Sequence, residues 1–384
     1  MTDAAWPPGT GSEAEEVRQA AQRLRLADRY RELDRNPEFP RAEFRGLGSA
    51  GLLGLTVPRT LGGRGLPATR AAAVLAHLAY LGGTAFAKLS LQPEFSSVLA
   101  EHGSPELVDR WFRPMVRGEV LVGNHITEPS AGSDASALAL TAHPDGDGYR
   151  LSGTKSELAF ATDADAALVY ARLPGSQRTE GITSFLVPQD LPGIRRSRDA
   201  LDLGERWQRR GQVVYDQVRV PAAYRIGEEG AAFGYLRTEL AHERALLAAI
   251  YLGVARASWE ETVRHVGERT AFGRRLADQQ AVAFPLVEDE AELEACWLYT
   301  VRALERLELG EDASAETAVA KVRATRAALA TLEHAIQFHG GAGYSARHPH
   351  EQRWRDVRSG SIAHGASEVL LGIAARHRWP SPRR

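Results

Sequence analysis

The chain has 384 residues, a formal net charge of −2 and a single cysteine, Cys296. This length can bury a large core in two or three domains. The small net charge gives no general attraction to nucleic acid or to an anionic membrane, so neither is an expected partner. One cysteine excludes internal disulfides and multi-cysteine metal sites, and without a signal-peptide pattern at the start the expected location is the cytoplasm.

The first 122 residues predict an N-terminal helical domain. The stretch "TRAAAVLAHLAYLGG" (69–83) is rich in Ala and Leu and predicts a helix that its two closing glycines end. The stretch before it, "GLLGLTVPRTLGGRGLP" (51–67), is rich in Gly and Pro and predicts a connecting loop.

From about residue 123 the pattern changes to short β-type runs, which predict a middle β domain over residues 123–228. "PDGDG" (144–148) predicts a hairpin turn between the first two strands. The runs are "ALALTAH" (137–143), "YRLSG" (149–153), "AALVYARL" (166–173), "GITSFLVP" (181–188) and "GQVVYDQVRVP" (211–221).

Residues 229–384 return to long helical patterns. "ETAVAKVRATRAALATLEHAIQFHGG" (316–341) repeats apolar residues at helical spacing and stops at Gly340–Gly341. The sequence therefore predicts an α+β, mostly helical protein, with helices first, then a β domain, then a helical bundle.

One glutamate interrupts an apolar stripe in the predicted helix 233–255. Apolar residues stand at positions 236, 240, 247, 250 and 254, and Glu243 occupies the missing step. An unpaired buried carboxylate costs several kcal/mol. Two interpretations stay open on this pattern alone. Glu243 is either a structural partner of Arg244 or another basic group, or a general base whose pKa burial raises.

Four further motifs occur in a fixed order along the chain: "HITEPSAGSDASALALTAH" (125–143), "RTAFGRRLADQQ" (269–280), "IQFHGGAGY" (336–344) and "RWRDVRSGSIAHGASEVLLGIAARH" (353–377). In this order and spacing, the chain resembles the acyl-CoA dehydrogenase family of flavoproteins over essentially its whole length. The resemblance implies an N-terminal helical domain, a β-barrel-like middle domain and a C-terminal four-helix bundle. It also implies FAD as the cofactor and a homodimer or homotetramer as the assembly.

By motif match, the resemblance places Thr127 against the flavin ring, and Gly132 and Ser133 near the ribityl–pyrophosphate region. A second set would hold the pyrophosphate and adenosine across the dimer. These residues are Arg269, Phe272, Gln280, Gln337 and Gly341. An arginine suits phosphate oxygens, and a glycine lets the backbone approach them. Ala159, Ser367 and Glu368 stand at the remaining positions expected to face FAD.

The reaction implied by the resemblance removes the α-proton of an acyl thioester and passes the β-hydrogen to flavin N5 as hydride. Most members take the proton with a glutamate in a "YEGTS" motif, where this chain has His364. A minority, including isovaleryl-CoA and long-chain types, use a glutamate on the helix across the pocket, followed by Arg and, ten residues on, Gly. Glu243, Arg244 and Gly253 match that spacing.

Glu243 is therefore the expected base, and Arg244 is expected to orient it or to contact substrate. The backbone N–H of His364 is expected to help hold the enolate oxygen, while its imidazole shapes or polarises the pocket.

Departures from the family pattern affect the substrate prediction. Members usually carry Trp-Ile-Thr-Asn against the flavin, where this chain has residues 157–160, "ELAF". Loss of the Trp and the Thr favours a specialised biosynthetic member, whose acyl group is carried by CoA or by an acyl carrier protein. The electron acceptor is expected to be electron-transfer flavoprotein or another acceptor. Two alternatives stay open: a flavin-dependent monooxygenase on the same fold, and a non-catalytic acyl-thioester-binding subunit of a hetero-oligomer.

The sequence predicts no metal site. "HPHE" (348–351) contains two histidines beside a proline turn, a setting that usually leaves both imidazoles in water, and no third ligand stands at helical spacing from them. His339, beside the glycine pair, is interpreted as a helix C-terminal residue.

Overall fold

The computed structural model describes residues 11–198 and 201–379, so the outer bounds of the predicted domains, 1 and 384, lie outside the described residues. The chain begins with helices α1 (Gly11–Arg23), α2 (Leu26–Arg35), α3 (Arg41–Ser49), α4 (Ala68–Ser90), α5 (Ser97–His102), α6 (Pro105–Leu107) and α7 (Arg113–Val116). A π-helical segment, Val108–Phe112, joins α6 to α7. The predicted loop 51–67 is irregular apart from one short 3-10 turn.

Helix α4 does not end at its glycine pair as the sequence predicted. Gly83 has φ 69°, which kinks the helix without ending it, and the helix continues to Ser90. A Cβ at Gly83 would lie 2.5 Å from the Tyr30 ring, so the glycine also admits this close aromatic contact. The stretch Ala68–His102 is long and apolar enough to cross a membrane by composition, but 83% of its apolar window is buried inside the protein, which is the position of a core helix.

The middle of the chain forms one eight-stranded sheet. Its strands are β1 (Val122–His125), β2 (Thr141–Asp145), β3 (Gly148–Leu158), β4 (Ala166–Arg172), β5 (Ile182–Pro188), β6 (Ile194–Arg198), β7 (Gly211–Pro221) and β8 (Arg225–Ile226). Their order is β6-β7-β3-β2-β4-β5-β8, with β1 parallel to β4. The predicted turn joins β2 to β3, where Asp145 pairs with Gly148. Strand β6 was missed because its sequence, "IRRSR", is polar and lies at the sheet edge.

The C-terminal part is a helical bundle with one small hairpin. It contains α8 (Ala232–Glu268), β9 (Thr270–Ala271), β10 (Arg274–Arg275), α9 (Gln280–Glu308), α10 (Ser314–Phe338), α11 (Pro349–Arg358) and α12 (Ser367–Arg378). Helix α8 packs against α4, α9 and α10, and its apolar residues share one core with the N-terminal helices. The sheet has a second core of its own. The predicted α+β, mostly helical fold class is confirmed.

Candidate active site

Helix α8 places Glu243 inside the protein. Leu236, two turns before it, and Leu247, one turn after it on the same stripe, are buried, and Glu243 itself is 3% exposed. The burial predicted from the stripe is therefore confirmed. The Oε2 atom of Glu243 lies 2.9 Å from Nδ1 of His364, a residue 121 positions further along the chain. This contact joins the two positions that the sequence analysis had identified separately.

The loop before α12 has an uncommon backbone. His364 has φ 52° and Gly365 has φ 102°, so two consecutive residues occupy the left-handed region. Arg244 Nε donates to the His364 carbonyl oxygen at 3.2 Å. Arg244 therefore contacts the loop that carries His364, and it does so through a carbonyl group.

A buried lysine holds the same loop from the other side. Lys321 Nζ donates to the carbonyl oxygens of Ala363 and Gly365, the latter at 2.8 Å. Three successive carbonyls are thus anchored by two cationic side chains. In the part of the chain that the structure describes, the His364 N–H donates to no acceptor, so it remains available to a ligand.

Sequence analysis missed Lys321, although α10 gave a signal. Thr317, Lys321 and Thr325 follow one another at helical spacing on a stripe that is fully buried. A lysine in such a stripe is as anomalous as Glu243. Burial, together with the nearby positive charges of Lys88 and Arg244, lowers the pKa of Lys321 to about 7.

A second carboxylate, also missed, lies one turn before Glu243. Glu239 is 5% exposed, and its Oε1 is 3.5 Å from both Ser97 Oγ and the Val98 N–H. Burial raises the pKa of Glu239 well above its ordinary value, and the adjacent Glu243 carboxylate raises it further. Burial and the neighbouring carboxylate act in the same direction, so the Glu239 side chain keeps its proton at neutral pH.

Two aromatic residues complete the surroundings of the Glu243 carboxylate. The Phe95 ring stacks on the His364 imidazole, with 5.0 Å between the ring centroids. Burial raises the pKa of the Tyr170 hydroxyl well above its ordinary value. The site therefore combines an apolar wall with one carboxylate whose hydrogen-bond partner is a histidine.

The residues expected near the flavin ring converge on the end of β3. The Ser156 N–H donates to the Thr127 carbonyl oxygen at 3.0 Å, which brings the loop after β1 beside the turn that contains Ala159. Phe160, which follows Ala159, is 2% exposed and packs on Trp207 with 5.5 Å between ring centroids. Its ring therefore belongs to the core.

The residues expected around the rest of FAD offer open backbone, two serine hydroxyls and one carboxylate. Gly132 and Ser133 are exposed, and a Cβ at Gly132 would meet no atom within 4 Å, so the backbone there is open to a ligand. At the start of α12, Ser367 is buried with its hydroxyl 3.5 Å from the Ser361 carbonyl oxygen, and Glu368 is exposed. Hydroxyl and backbone donors of this kind suit the ribityl chain and phosphates.

The second set lies far from Glu243. Arg269 follows the last residue of α8, 26 residues after Glu243, which is roughly 39 Å along a helix at 1.5 Å per residue. The members of this set are exposed, and Phe272 is 95% exposed. They are Arg269, Phe272, Gln280, Gln337 and Gly341. Their expected contact with FAD across a second copy stays a prediction.

Comparison with known proteins identifies the family. Models described as the N-terminal, middle and C-terminal domains of acyl-CoA dehydrogenase match residues 12–119, 123–218 and 230–378. Benzylmalonyl-CoA dehydrogenase from Aromatoleum aromaticum is 33% identical over 92% of this chain and 93% of its own length. A subunit of the caffeyl-CoA reductase-Etf complex, CarC from Acetobacterium woodii, is 30% identical over 88% and 89%.

A similar solved structure is that of a prolyl acyl carrier protein oxidase, AnaB. It has a TM-score of 0.90 and 26% identity and covers 98% of this chain and 100% of its own. The chain belongs to the acyl-CoA dehydrogenase family. It is an FAD-dependent oxidoreductase that dehydrogenates acyl thioesters, which is the prediction favoured over the monooxygenase and the non-catalytic subunit.

Proposed function

We propose that Glu243 is the base that removes the α-proton of the acyl thioester. The observation that carries this proposal is the 2.9 Å contact between Glu243 Oε2 and His364 Nδ1 inside a buried site. The contact occupies one carboxylate oxygen and leaves Oε1 for the substrate.

His364 orients this base. An ionised carboxylate only accepts hydrogen bonds, so we assign the proton of the imidazole to Nδ1. Phe95 stacks on the ring, and the two cationic anchors hold the loop backbone, so the imidazole has a fixed position against Glu243. The orientation of the base then depends on the loop that contains His364.

The backbone of His364 would serve the substrate oxygen. Its N–H donates to no acceptor in the described ranges 11–198 and 201–379, and it belongs to the residue whose side chain holds the base. We assign it to the thioester carbonyl, where negative charge develops as the α-proton leaves. The position of the base and the stabilisation of the charge on the substrate oxygen would then both depend on His364.

FAD, when bound, accepts the β-hydrogen as hydride. On this chain, Thr127, Gly132 and Ser133 would hold the flavin and ribityl regions, beside Ala159, Ser367 and Glu368. A second copy would supply the exposed residues Arg269, Phe272, Gln280, Gln337 and Gly341, so we propose a homodimer or homotetramer. The exposure of all five in one chain supports this assignment.

Two further proposals concern the group that carries the acyl chain and the protein that accepts the electrons. We propose a carrier-protein thioester as substrate, supported by the structural similarity to a prolyl acyl carrier protein oxidase and by the altered "ELAF" segment. Acyl-CoA is the other source of the same thioester, as in the name of the benzylmalonyl-CoA relative. We propose electron-transfer flavoprotein as the acceptor, supported by the name of the CarC relative.

The proposal is tested by anaerobic reduction of the bound flavin, followed by absorbance, with matched panels of acyl-CoA and acyl-carrier thioesters. Glu243→Gln should slow bleaching by about 10³-fold or more, because an amide cannot accept the proton. His364→Ala should keep measurable bleaching. Glu239→Gln is the matched control, since it makes the same change one helical turn away on the same buried face.

Each outcome of this experiment bears on one part of the proposal. Loss of bleaching in His364→Ala with retention in Glu243→Gln would overturn the assignment of the base. Bleaching by CoA thioesters but not by carrier thioesters would overturn the carrier proposal and leave the base assignment standing. Reoxidation by electron-transfer flavoprotein, measured in the same cuvette, tests the acceptor.

A further inference from the structure

Three histidines converge where α10 ends and α11 begins. His339 caps α10, His348 precedes α11 and His350 lies in the first turn of α11. One ligand nitrogen from each lies within 4.8 Å of the others. The ring centroids are 4.4 Å apart for His339 and His350, and 4.2 Å apart for His348 and His350. The expectation that both imidazoles of "HPHE" lie in water is wrong, because His350 is fully buried, and the fold adds a third imidazole beside them.

The inner nitrogens of this cluster lack partners. His350 is fully buried, and neither its Nε2 nor the buried Nδ1 of His348 has a hydrogen-bond partner among the described residues. Buried polar atoms normally find a partner, so an unpaired nitrogen that faces two other imidazoles indicates a missing ligand.

In His339 and His350, the ring nitrogen that points away from the cluster already has a polar partner. His339 Nδ1 is 2.8 Å from the Ala335 carbonyl oxygen, and His350 Nδ1 is 3.1 Å from Ser258 Oγ. A histidine that binds a metal usually gives its other ring nitrogen to a carbonyl, a carboxylate or a hydroxyl, which fixes the tautomer and the ring orientation. Both contacts leave Nε2 directed to the cluster.

The charges around the cluster tolerate a cation. Arg353 lies close by, but Glu261 binds its guanidinium at 3.0 and 3.1 Å and offsets its charge. The Glu261 Oε2 atom is also 3.9 Å from His350 Nδ1. A cavity of about 330 Å³ adjoins the cluster, and its lining holds two carboxylates and one guanidinium; it is formed by Glu261, Arg264, His265, Glu268, His339, His348 and Pro349. A fourth ligand, water or carboxylate, therefore has room.

We propose that His339, His348 and His350 bind a divalent transition-metal ion, with zinc as the expected occupant, through one imidazole nitrogen each. Three imidazoles suit zinc. A small decrease in the distances between their nitrogens would give the spacing of a tetrahedral site. The ion would tie the end of α10 to the start of α11 and so fix the loop 340–347. His339 and Gln337 lie about 200° apart around α10 at 3.6 residues per turn, so the ion would lie on the opposite side from Gln337.

The test uses the flavin-loaded enzyme without an affinity tag, stripped with a chelator and titrated with Co²⁺. We expect one Co²⁺ per chain with visible d–d absorption bands typical of tetrahedral nitrogen ligands, displaced by Zn²⁺. His348→Ala and His350→Ala should weaken binding by about 100-fold or more. His143→Ala, which changes an exposed histidine of β2, should bind as the wild type does. Zn²⁺ should raise the melting temperature of the wild type and of His143→Ala only.

His348→Ala keeps the test decisive if loss of the buried His350 unfolds the protein, because His348 is only partly buried. Featureless Co²⁺ spectra would overturn the proposal, and so would equal affinity in all variants, which is the result for an adventitious ion only. Metal binding is read without substrate, so its failure is independent of the assignment of Glu243.

Discussion

Two buried lysines lie in chemically opposite surroundings. Lys88 on α4 is 4% exposed and forms an ion pair with Glu205 at 2.5 Å. Lys321 on α10 is fully buried and contacts only carbonyl oxygens among the described residues. Burial opposes the charge of both, but the Glu205 carboxylate raises the pKa of Lys88, whereas the pKa of Lys321 falls to about 7.

The surroundings of Lys88 form a charge-balanced network. Asp356 accepts from the Tyr30 hydroxyl at 2.6 Å and from Thr84 Oγ1 at 3.1 Å, and the Glu205 N–H also donates to it. This network joins α2 and α4 to α11 and to the segment before β7. Under the loop 363–365, no carboxylate among the described residues pairs with Lys321. We therefore infer that Lys88 stabilises the fold, whereas Lys321 holds the loop 363–365 in position.

The largest effect is expected for Lys88→Met, which leaves Glu205 buried without its partner. The free energy of unfolding should fall by about 3–5 kcal/mol. Lys321→Met is the matched control, and it should cost much less because no carboxylate loses a partner. Urea denaturation of both variants measures the difference. Equal losses would contradict the distinction between the two lysines.

Lys321→Met should instead impair the reaction. Without the two hydrogen bonds to Ala363 and Gly365, the loop can shift and carry His364 away from Glu243. Flavin reduction by the thioester should slow by about 10- to 100-fold, since small misplacements of catalytic groups are costly. FAD content should stay as in the wild type. Lys321→Gln keeps a donor and should recover part of the rate, and a wild-type rate in Lys321→Met would exclude a positioning role.

The pH dependence of stability should also distinguish the two lysines. Between pH about 7 and 10.5, the unfolded chain keeps a proton that folded Lys321 has released. The free energy of unfolding should therefore rise with pH across this window, by at most about 1.4 kcal/mol per pH unit. Lys321→Met should remove this slope, as measured by denaturation from pH 7 to 10. The same slope in the variant would show that Lys321 does not titrate there.

The smallest effect is expected for Glu239→Gln. Burial keeps the Glu239 side chain protonated, so the neutral amide should change the unfolding free energy by less than about 1 kcal/mol at neutral pH. Because its pKa is raised, folded Glu239 keeps a proton that the unfolded chain loses above pH 4.5. Rising pH should thus destabilise the wild type relative to the variant. A large loss of stability in the variant would mean that Glu239 is ionised.

Features that depend on a single helix or strand could be predicted from the sequence. The stripe around Glu243 needed only helical periodicity, and the β runs needed only alternation and one turn. The kink at Gly83 depended on a tertiary contact with Tyr30, and strand β6 has too few apolar residues to be predicted.

The partners of the site residues were beyond sequence reasoning. Periodicity shows that Glu243 is buried, but the contact with His364 depends on how α8 packs against a distant loop. The two carbonyl anchors of Lys321 and the convergence of His339 on His348 likewise follow from tertiary packing. A buried polar residue can thus be recognised from sequence, whereas its partner requires the structure.

The most direct measurement of the central claim is exchange of the α-hydrogen of a thioester that cannot lose its β-hydrogen. A 3-thia-acyl thioester, with sulfur at the β position, is incubated with the oxidised enzyme in D₂O and followed by NMR. We expect α-exchange in the wild type and in Glu239→Gln, and none above background in Glu243→Gln. Exchange at the wild-type rate in Glu243→Gln would contradict the assignment of Glu243 as the base.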